Sequence, residues 1–256
     1  MPEFGGGLDG RLWKRLKHLA GQAIHNYDLI RDGDVIAAAI SGGKDSLLML
    51  HFLAELKRRA PVNFELGVFH LGSGETLLRP WLRSLNLNFI HLEAAPPIKE
   101  LAEYQPGGPS PCFACARVRR NRLFELSRSF GATSLALGHH LDDAAETLLM
   151  NIFYSGRLEG LEARQNLFEG RLKLIRPLFL VPEKIIAELC AVLGLPVFSS
   201  GCPADGLTMR QKIKELVAGL VADNPKVAGN LAAVVMAGTS AAGQAEKRRF
   251  TKADAG

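Results

Sequence analysis

In this chain of 256 residues, Ser41-Gly42-Gly43-Lys44-Asp45-Ser46 is the stretch best suited to chemistry on an anion. Two adjacent glycines let backbone N–H groups approach a phosphate with no Cβ in the way. A helix starting there adds the attraction of its dipole. Lys44 contributes a mobile positive charge, and Ser41 and Ser46 contribute hydroxyl donors. The pattern is neither G-x-x-x-x-G-K-[ST] nor G-x-G-x-x-G, so it is a phosphate loop of another kind. A second polar group, Gly138-His139-His140-Leu141-Asp142-Asp143, precedes another helical pattern. Asp45, Asp142 and Asp143 are candidates for Mg²⁺, which takes a few carboxylates beside phosphate oxygens. Asp142 and Asp143 would equally serve as caps of a helix N-terminus, and the two uses are compatible.

The chain has four cysteines, too few and too unevenly spaced for a secreted disulfide framework. Cys112 and Cys115 form a CxxC at a helix start, where the dipole favours thiolate. Cys190 falls on an apolar stripe with Ile186, Leu189 and Leu193 and reads as core. Cys202, in Ser199-Ser200-Gly201-Cys202-Pro203, sits in a turn after a short apolar strand. Cys112, Cys115 and Cys202 are compatible with an iron–sulfur cluster having one iron without a cysteine. Structural zinc with a histidine, or persulfide chemistry between the CxxC and Cys202, are the competing uses.

These residues need elements to position them. The run 35–40 reads as a strand feeding the loop, followed by a helix over about 47–59 that stops before Pro61. Strands are expected at 64–71, 89–94, 134–137, 172–176 and 196–198. Helices are expected at 76–85, 113–130, 143–154, 182–193, 208–222 and on to about Met236. Residues 8–26 carry Leu12, Leu16, Leu19 and Ala23 at amphipathic helical spacing, with Asp9 as a candidate cap. The proline-rich stretch 95–111 reads as a loop. The alternation implies an α/β fold, a three-layer parallel sheet with Rossmann-like winding and ligands at the carboxyl ends of the strands. Three such ends then meet: Ser41–Ser46, His70 and Gly138–Asp143. The division read from the sequence is an N-terminal helical arm (1–28), one domain carrying the CxxC as an insertion (29–238), and a polar, disordered tail (239–256).

A hydrophobic fraction of 47% and a charged fraction of 22% are those of an ordinary soluble protein. No apolar run is long enough for a membrane span, and the first residues lack a secretory h-region, so the expectation is a cytoplasmic enzyme. The net charge of +5 is clustered at Arg11–His18, at Arg117, Arg119, Arg120 and Arg122, and at Lys247–Arg249. Such clusters favour a polyanionic partner.

The motifs SGGKDS, PCFACARVRR, LGHHLDDAAETLLMNIFYSG, IRPL and GCP occur here in this order. Together they resemble the tRNA 2-thiocytidine synthetase family and its 2-thiouridine relatives, iron–sulfur tRNA thiolases of the PP-loop (N-type ATP pyrophosphatase) class. The likeness spans about residues 10–225. It implies a PP-loop ATP pyrophosphatase fold with ATP at Ala39, Ile40, Ser41, Gly42, Gly43, Lys44, Ser46, His70, Gly138, His139 and Asp143. It implies that Asp45, Lys44 and Arg119 act on the reacting phosphate, with Mg²⁺ on Asp45 and Asp142. It implies a 4Fe–4S cluster on Cys112, Cys115 and Cys202. The partners it implies are tRNA, a sulfur donor (a cysteine desulfurase or free sulfide) and a second copy of the chain. Two features depart from the pattern. No cysteines remain for the terminal zinc modules of the thiouridine relatives, and His70-Leu71-Gly72-Ser73-Gly74 replaces the Asn/Asp-containing turn of the 2-thiocytidine enzymes.

The activity implied is ATP-dependent 2-thiolation of a tRNA pyrimidine, cytidine in the anticodon loop, with release of pyrophosphate and then AMP. Other readings are a zinc-containing amide or lysidine-type ligase on the same loop, sulfur transfer to a small molecule, and a non-catalytic nucleotide-sensing or RNA-binding module. Zinc content, salt-insensitive activity without RNA, and ATP binding without pyrophosphate release would mark these three in turn.

Overall fold

The computed structural model describes residues 8–72, 74–87, 89–92, 111–198 and 209–238. In chain order the elements are α1 (Leu8–Asn26), β1 (Val35–Ile40), α2 (Lys44–Arg59), β2 (Glu65–Leu71), α3 (Glu75–Ser84) and β3 (Phe89–Leu92). Then follow α4 (Pro111–Ser129), β4 (Ser134–Ala136), α5 (Leu141–Ser155), β5 (Arg164–Leu167), β6 (Leu172–Ile175), α6 (Glu183–Val192) and α7 (Met209–Asp223). A last helix, α8, covers residues 226–238.

The six strands lie in the order β3-β2-β1-β4-β6-β5. All neighbours pair in parallel except β5 and β6, which run antiparallel. The expected parallel sheet is therefore mixed at one edge. That edge strand, Arg-Gln-Asn-Leu, has no apolar alternation and only a parallel-sheet neighbour to reveal it. The strand expected at 196–198 is absent. Its backbone joins no ladder: Val197 N–H donates to Leu195 O and Phe198 N–H to Gly42 O.

β1 shows why the sheet is buried on both faces. Ile36, Ala38 and Ile40 pack with α1, α2 and α6 in the larger core, while Ala37 lies in a second cluster with Phe69, Leu123 and Leu135 under α4. Period-two alternation of small and branched residues feeds both layers. Helix α1 is part of this body, since Trp13, Leu16, Ala20 and Ala23 are buried in the larger core. Its basic residues Arg11, Lys14, Arg15, Lys17 and His18 are exposed.

The strand order reverses between β1 and β4. In open α/β sheets this is where two loops leave in opposite directions and open a crevice. The Ser41–Ser46 loop leaves β1 there, and Gly138–Asp143 leaves β4. Among the described residues, no helix is long and apolar enough to cross a membrane. Cys202 and the tail beyond 238 lie outside the described residues, as does most of the proline-rich stretch.

Candidate active site

The loop after β1 is shaped by its own serines. Ser46 Oγ accepts from Ser41 N–H at 3.1 Å and donates to Gly43 O at 2.9 Å. Ser41 Oγ accepts from Gly43 N–H at 3.3 Å. Ser46, expected as a donor to phosphate, is buried and its proton is committed to the loop itself. Helix α2 begins at Lys44, earlier than the apolar pattern suggested, so Lys44, Asp45 and Ser46 form its first turn. Their N–H groups have no acceptor inside the helix, which makes this turn the anion-binding end.

Gly42 has φ +87, the left-handed region that favours glycine. Gly138 is needed for a different reason: a Cβ there would come within 2.7 Å of Ser46 N and 2.8 Å of the Asp45 carbonyl carbon. The β4 loop therefore lies directly against the phosphate loop, backbone on backbone. An aromatic ring also sits over the cradle. Phe198 donates its N–H to Gly42 O at 3.0 Å, and a Cβ on Gly42 or Gly74 would meet its ring at 2.3 or 2.2 Å.

Lys44 Nζ lies 3.0 Å from Asp45 Oδ1 and 2.9 Å from Glu183 Oε1. Burial alone would lower the Lys44 ammonium, but Glu183 and Asp45 outweigh it and hold the group above its ordinary value. Lys44 is thus a fixed cation at the mouth of the loop. Among the described residues the buried Asp45 Oδ1 accepts no hydrogen bond, while Lys44 Nζ donates to the other carboxylate oxygen, Oδ2, at 3.2 Å.

His140, which the sequence did not single out as a ligand-binding residue, is the hub of the acidic group. It is 4% exposed, and its ring nitrogens stand 3.6 Å from Asp45, 3.5 Å from Asp142 and 3.4 Å from Asp143. Burial works against its charged form, yet the carboxylates, Asp142 first, raise it above its ordinary value. Asp142 Oδ2 accepts from Glu183 N–H at 2.7 Å, and Asp143 Oδ2 accepts from His140 N–H at 3.0 Å. Both aspartates therefore cap helices, Asp142 the start of α6 and Asp143 that of α5.

His139 behaves in the opposite way. Burial and the neighbouring Arg176 push it down to about 4, so it is neutral at physiological pH. Its Nδ1 accepts from Arg176 Nε at 3.2 Å, which leaves the ring proton on Nε2. His70 pairs with Ile40 in the sheet and donates from Nδ1 to Ile40 O at 3.0 Å. It stacks on His91 with centroids 5.5 Å apart and meets Phe198 edge-on at 6.1 Å. Ala39, Ile40, Ser41–Ser46, His70 and Gly138–Asp143 are thereby brought to one sheet edge.

Three side chains from distant segments complete this edge: Glu183, Arg210 and Lys214. Arg210 binds Asp143 at 2.7 Å and Thr147 Oγ1 at 3.1 Å, and Lys214 binds Glu183 Oε1 at 2.8 Å. One turn apart on α7, these two cations tie that helix to both flanks of the loop. Their signal in sequence was only a pair of basic residues four apart on an amphipathic helix.

Arg119 is not brought in. It is exposed on α4 and has no hydrogen-bond or ion-pair partner among the described residues. The backbone of α4 places Cys112 and Cys115 within its first five residues, one turn apart along the helix. Cys190 is buried, donates to Lys44 O at 3.3 Å, and has its thiol pushed up to about 12 by burial. It is a core residue, as its apolar stripe indicated. Among the described residues no three His, Cys, Asp or Glu side chains converge as a metal-holding group. A cavity of about 550 Å³ lined by Lys57, Arg58, Phe89 and Phe130 lies away from these loops.

Comparison with known proteins shows the relatives and the fold that this chain shares. The PP-loop domain family matches residues 110–217. A tRNA-cytidine(32) 2-sulfurtransferase of Pelobacter propionicus is 38% identical over 227 residues, covering 86% of this chain and 84% of that protein. One from Geobacter sulfurreducens is 38% identical over 231 residues, covering 88% of this chain and 90% of that protein. Among solved structures, the U34-tRNA thiolase NcsA of Methanococcus maripaludis, determined with its 4Fe-4S cluster, superposes with a TM-score of 0.73 at 22% identity. That match covers 89% of this chain and 78% of the other, and establishes the shared fold.

Proposed function

The chain belongs to the tRNA-cytidine(32) 2-sulfurtransferase family, and on that premise we propose that it uses ATP to replace a cytidine base oxygen of tRNA with sulfur. The observation that carries the reading is the juxtaposition at the β1–β4 crevice. There a glycine cradle, a fixed lysine and a carboxylate with a buried, unsatisfied oxygen lie against a second loop that leaves no space for a Cβ.

A base carbonyl oxygen is a poor leaving group. In the first step it attacks the α-phosphorus of ATP, a new P–O bond forms, and the bond to the β-phosphate breaks to release pyrophosphate. Charge builds on the departing pyrophosphate, where the first-turn N–H groups of α2 and the Lys44 ammonium stabilise it. In the second step sulfide attacks the ring carbon, the C–O bond breaks, and AMP leaves. Neutral His139 offers a hydrogen-bond donor through Nε2, whereas His140, held among three carboxylates, keeps Asp45, Asp142 and Asp143 together. Asp45 and Asp142 are the carboxylates that would hold a Mg²⁺ bound with ATP, and the Asp45 Oδ1, buried without a hydrogen bond among the described residues, suits a cation.

The donor chemistry fits an iron–sulfur cluster. With Cys190 committed to the core, three cysteines remain, and two of them open a helix, where thiolate is favoured. Cys112, Cys115 and Cys202 would hold a 4Fe–4S cluster. When bound, the cluster supplies the place where sulfide is held for transfer. A cysteine desulfurase or free sulfide is the source, the site of action is the cytoplasm, and the working form is a homodimer, which sedimentation of the full chain checks.

Anaerobic purification with iron and sulfide counts tests the assignment. The wild type is expected to be coloured, and Cys112→Ala to lose the visible absorption together with thiolation. A colourless, zinc-containing protein that thiolates normally would refute it.

A further inference from the structure

Residues 116–122 of α4 are exposed without a break, two full turns of helix with no buried face. The part that follows is anchored through Leu123 and Ser127, which are buried. Four of those seven residues are arginines. Arg117, Arg119 and Arg120 have no ion-pair or hydrogen-bond partner among the described residues. Arg122 has one loose contact, 3.9 Å to Glu125, with both side chains more than half exposed. A short helix gains little from its own hydrogen bonds and normally depends on packing. Among the described residues nothing covers these two turns and like charges crowd together, so the stretch is built to be covered by anions.

We propose that residues 116–122 insert into the concave side of a single-stranded RNA loop, whose phosphates surround the helix. This rests on the tRNA reading above. The commitment to a loop follows from angles. At roughly 100° per residue, Arg119, Arg120 and Arg122 project at roughly 200°, 300° and 140° from Arg117. The four guanidinium groups therefore point around the whole circumference. The side of a duplex reaches at most two of them, whereas a folded strand presents phosphates along a curved path that reaches all four. Each guanidinium fork matches a phosphate bidentately. Because Cys112 and Cys115 begin the same helix, RNA held at 116–122 lies one turn from the cysteines. Single-stranded loops are also where bases are free to be presented to an enzyme.

The test compares wild type with R117Q/R120Q/R122Q, which removes three of the four guanidinium groups. A tRNA transcript and a blunt RNA duplex of equal length are titrated between roughly 50 and 200 mM salt. The wild type is expected to bind the tRNA at least tenfold more tightly than the duplex. The variant is expected to lose at least tenfold in tRNA affinity. Its slope of log affinity against log salt should be shallower by about 2, at ~0.7 per single-stranded phosphate. The triple lysine variant, which keeps the charges, should retain the wild-type slope. Equal slopes for wild type and glutamine variant, equal binding of duplex and tRNA, or a lysine variant as weak as the glutamine one would each overturn the proposal. A wild type that binds no tRNA at all would overturn the tRNA reading itself.

Discussion

Lys44 Nζ and Lys214 Nζ converge on a single oxygen, Oε1 of Glu183, at 2.9 and 2.8 Å. One carboxylate thus fixes the lysine of the phosphate loop and joins that loop to α7. Burial alone would raise the Glu183 carboxyl, but hydrogen bonds from Lys214 and Lys44 outweigh it and keep it ionised. Lys44→Ala is expected to lower pyrophosphate release by about 10²–10³-fold, the usual effect of removing a donor aimed at developing charge. Glu183→Gln still accepts from both amines but loses the charge, so a smaller loss of about tenfold is expected, mostly in kcat. Steady-state pyrophosphate release with tRNA present checks both. An unchanged kcat in Glu183→Gln would show that Lys44 does not need this anchor.

Gly138→Ala should be among the most damaging small changes in the chain. Its Cβ would meet Ser46 N at 2.7 Å, and backbone cannot step aside as a flexible side chain can. The loop must shift, and adenylation should fall by more than about 100-fold. Gly219 on α7 has nothing within 4 Å of its missing Cβ, so Gly219→Ala should instead stabilise the helix by about 1 kcal/mol. Thermal melts and pyrophosphate release of the two variants separate the effects.

His51, 4% exposed under α1, has no hydrogen-bond partner on either ring nitrogen among the described residues and meets the Trp13 ring edge-on at 5.5 Å. Burial lowers its pKa below the ordinary value of about 6.5. The unfolded chain therefore takes up the proton more readily than the folded one. The stability linked to this group is complete above about pH 6.5 and declines as pH falls below it. His51→Leu should match or exceed wild-type Tm at pH 7.5, with the gap widening in its favour by several degrees at about pH 5. A gap that stays constant across that range would contradict the account.

Asp34 and Lys173 form a buried pair, with Lys173 Nζ 2.9 and 2.8 Å from the two carboxylate oxygens. Thr133 Oγ1 and the Arg31 N–H also donate to Asp34. Burial would raise this carboxyl, yet these donors hold it below its ordinary value. Its contribution is therefore present above about pH 4 and lost as pH falls through the depressed value. Lys173→Met leaves a buried carboxylate without its cation and should cost about 3–5 kcal/mol. Adding Asp34→Asn should recover part of that loss, which a double-mutant cycle in urea measures.

Much of this arrangement was legible in the order of residues. The β1 run and the glycine loop announced a strand, a turn and a helix, because burial and backbone freedom act locally there. Cys190 was recognisable as core from its stripe. Edge strand β5 was not, since Arg164–Leu167 takes its ladder from β6 and has no apolar alternation to reveal it. Phe198 looked like part of a strand, but its N–H goes to Gly42. The larger gap concerned partners: Lys44 with Glu183, Asp143 with Arg210, and His140 among three aspartates. Those contacts depend on where α6 and α7 return to the sheet edge, and no local spacing encodes that.

The most direct measurement incubates the anaerobically purified protein with ATP, Mg²⁺, sulfide and a tRNA carrying cytidine at position 32, then digests the tRNA to nucleosides for mass spectrometry. The account predicts one 2-thiocytidine per tRNA, with AMP formed in equal amount, and neither product from Lys44→Ala. Pyrophosphate release with no sulfur in the tRNA, or thiolation that proceeds without ATP, would contradict it.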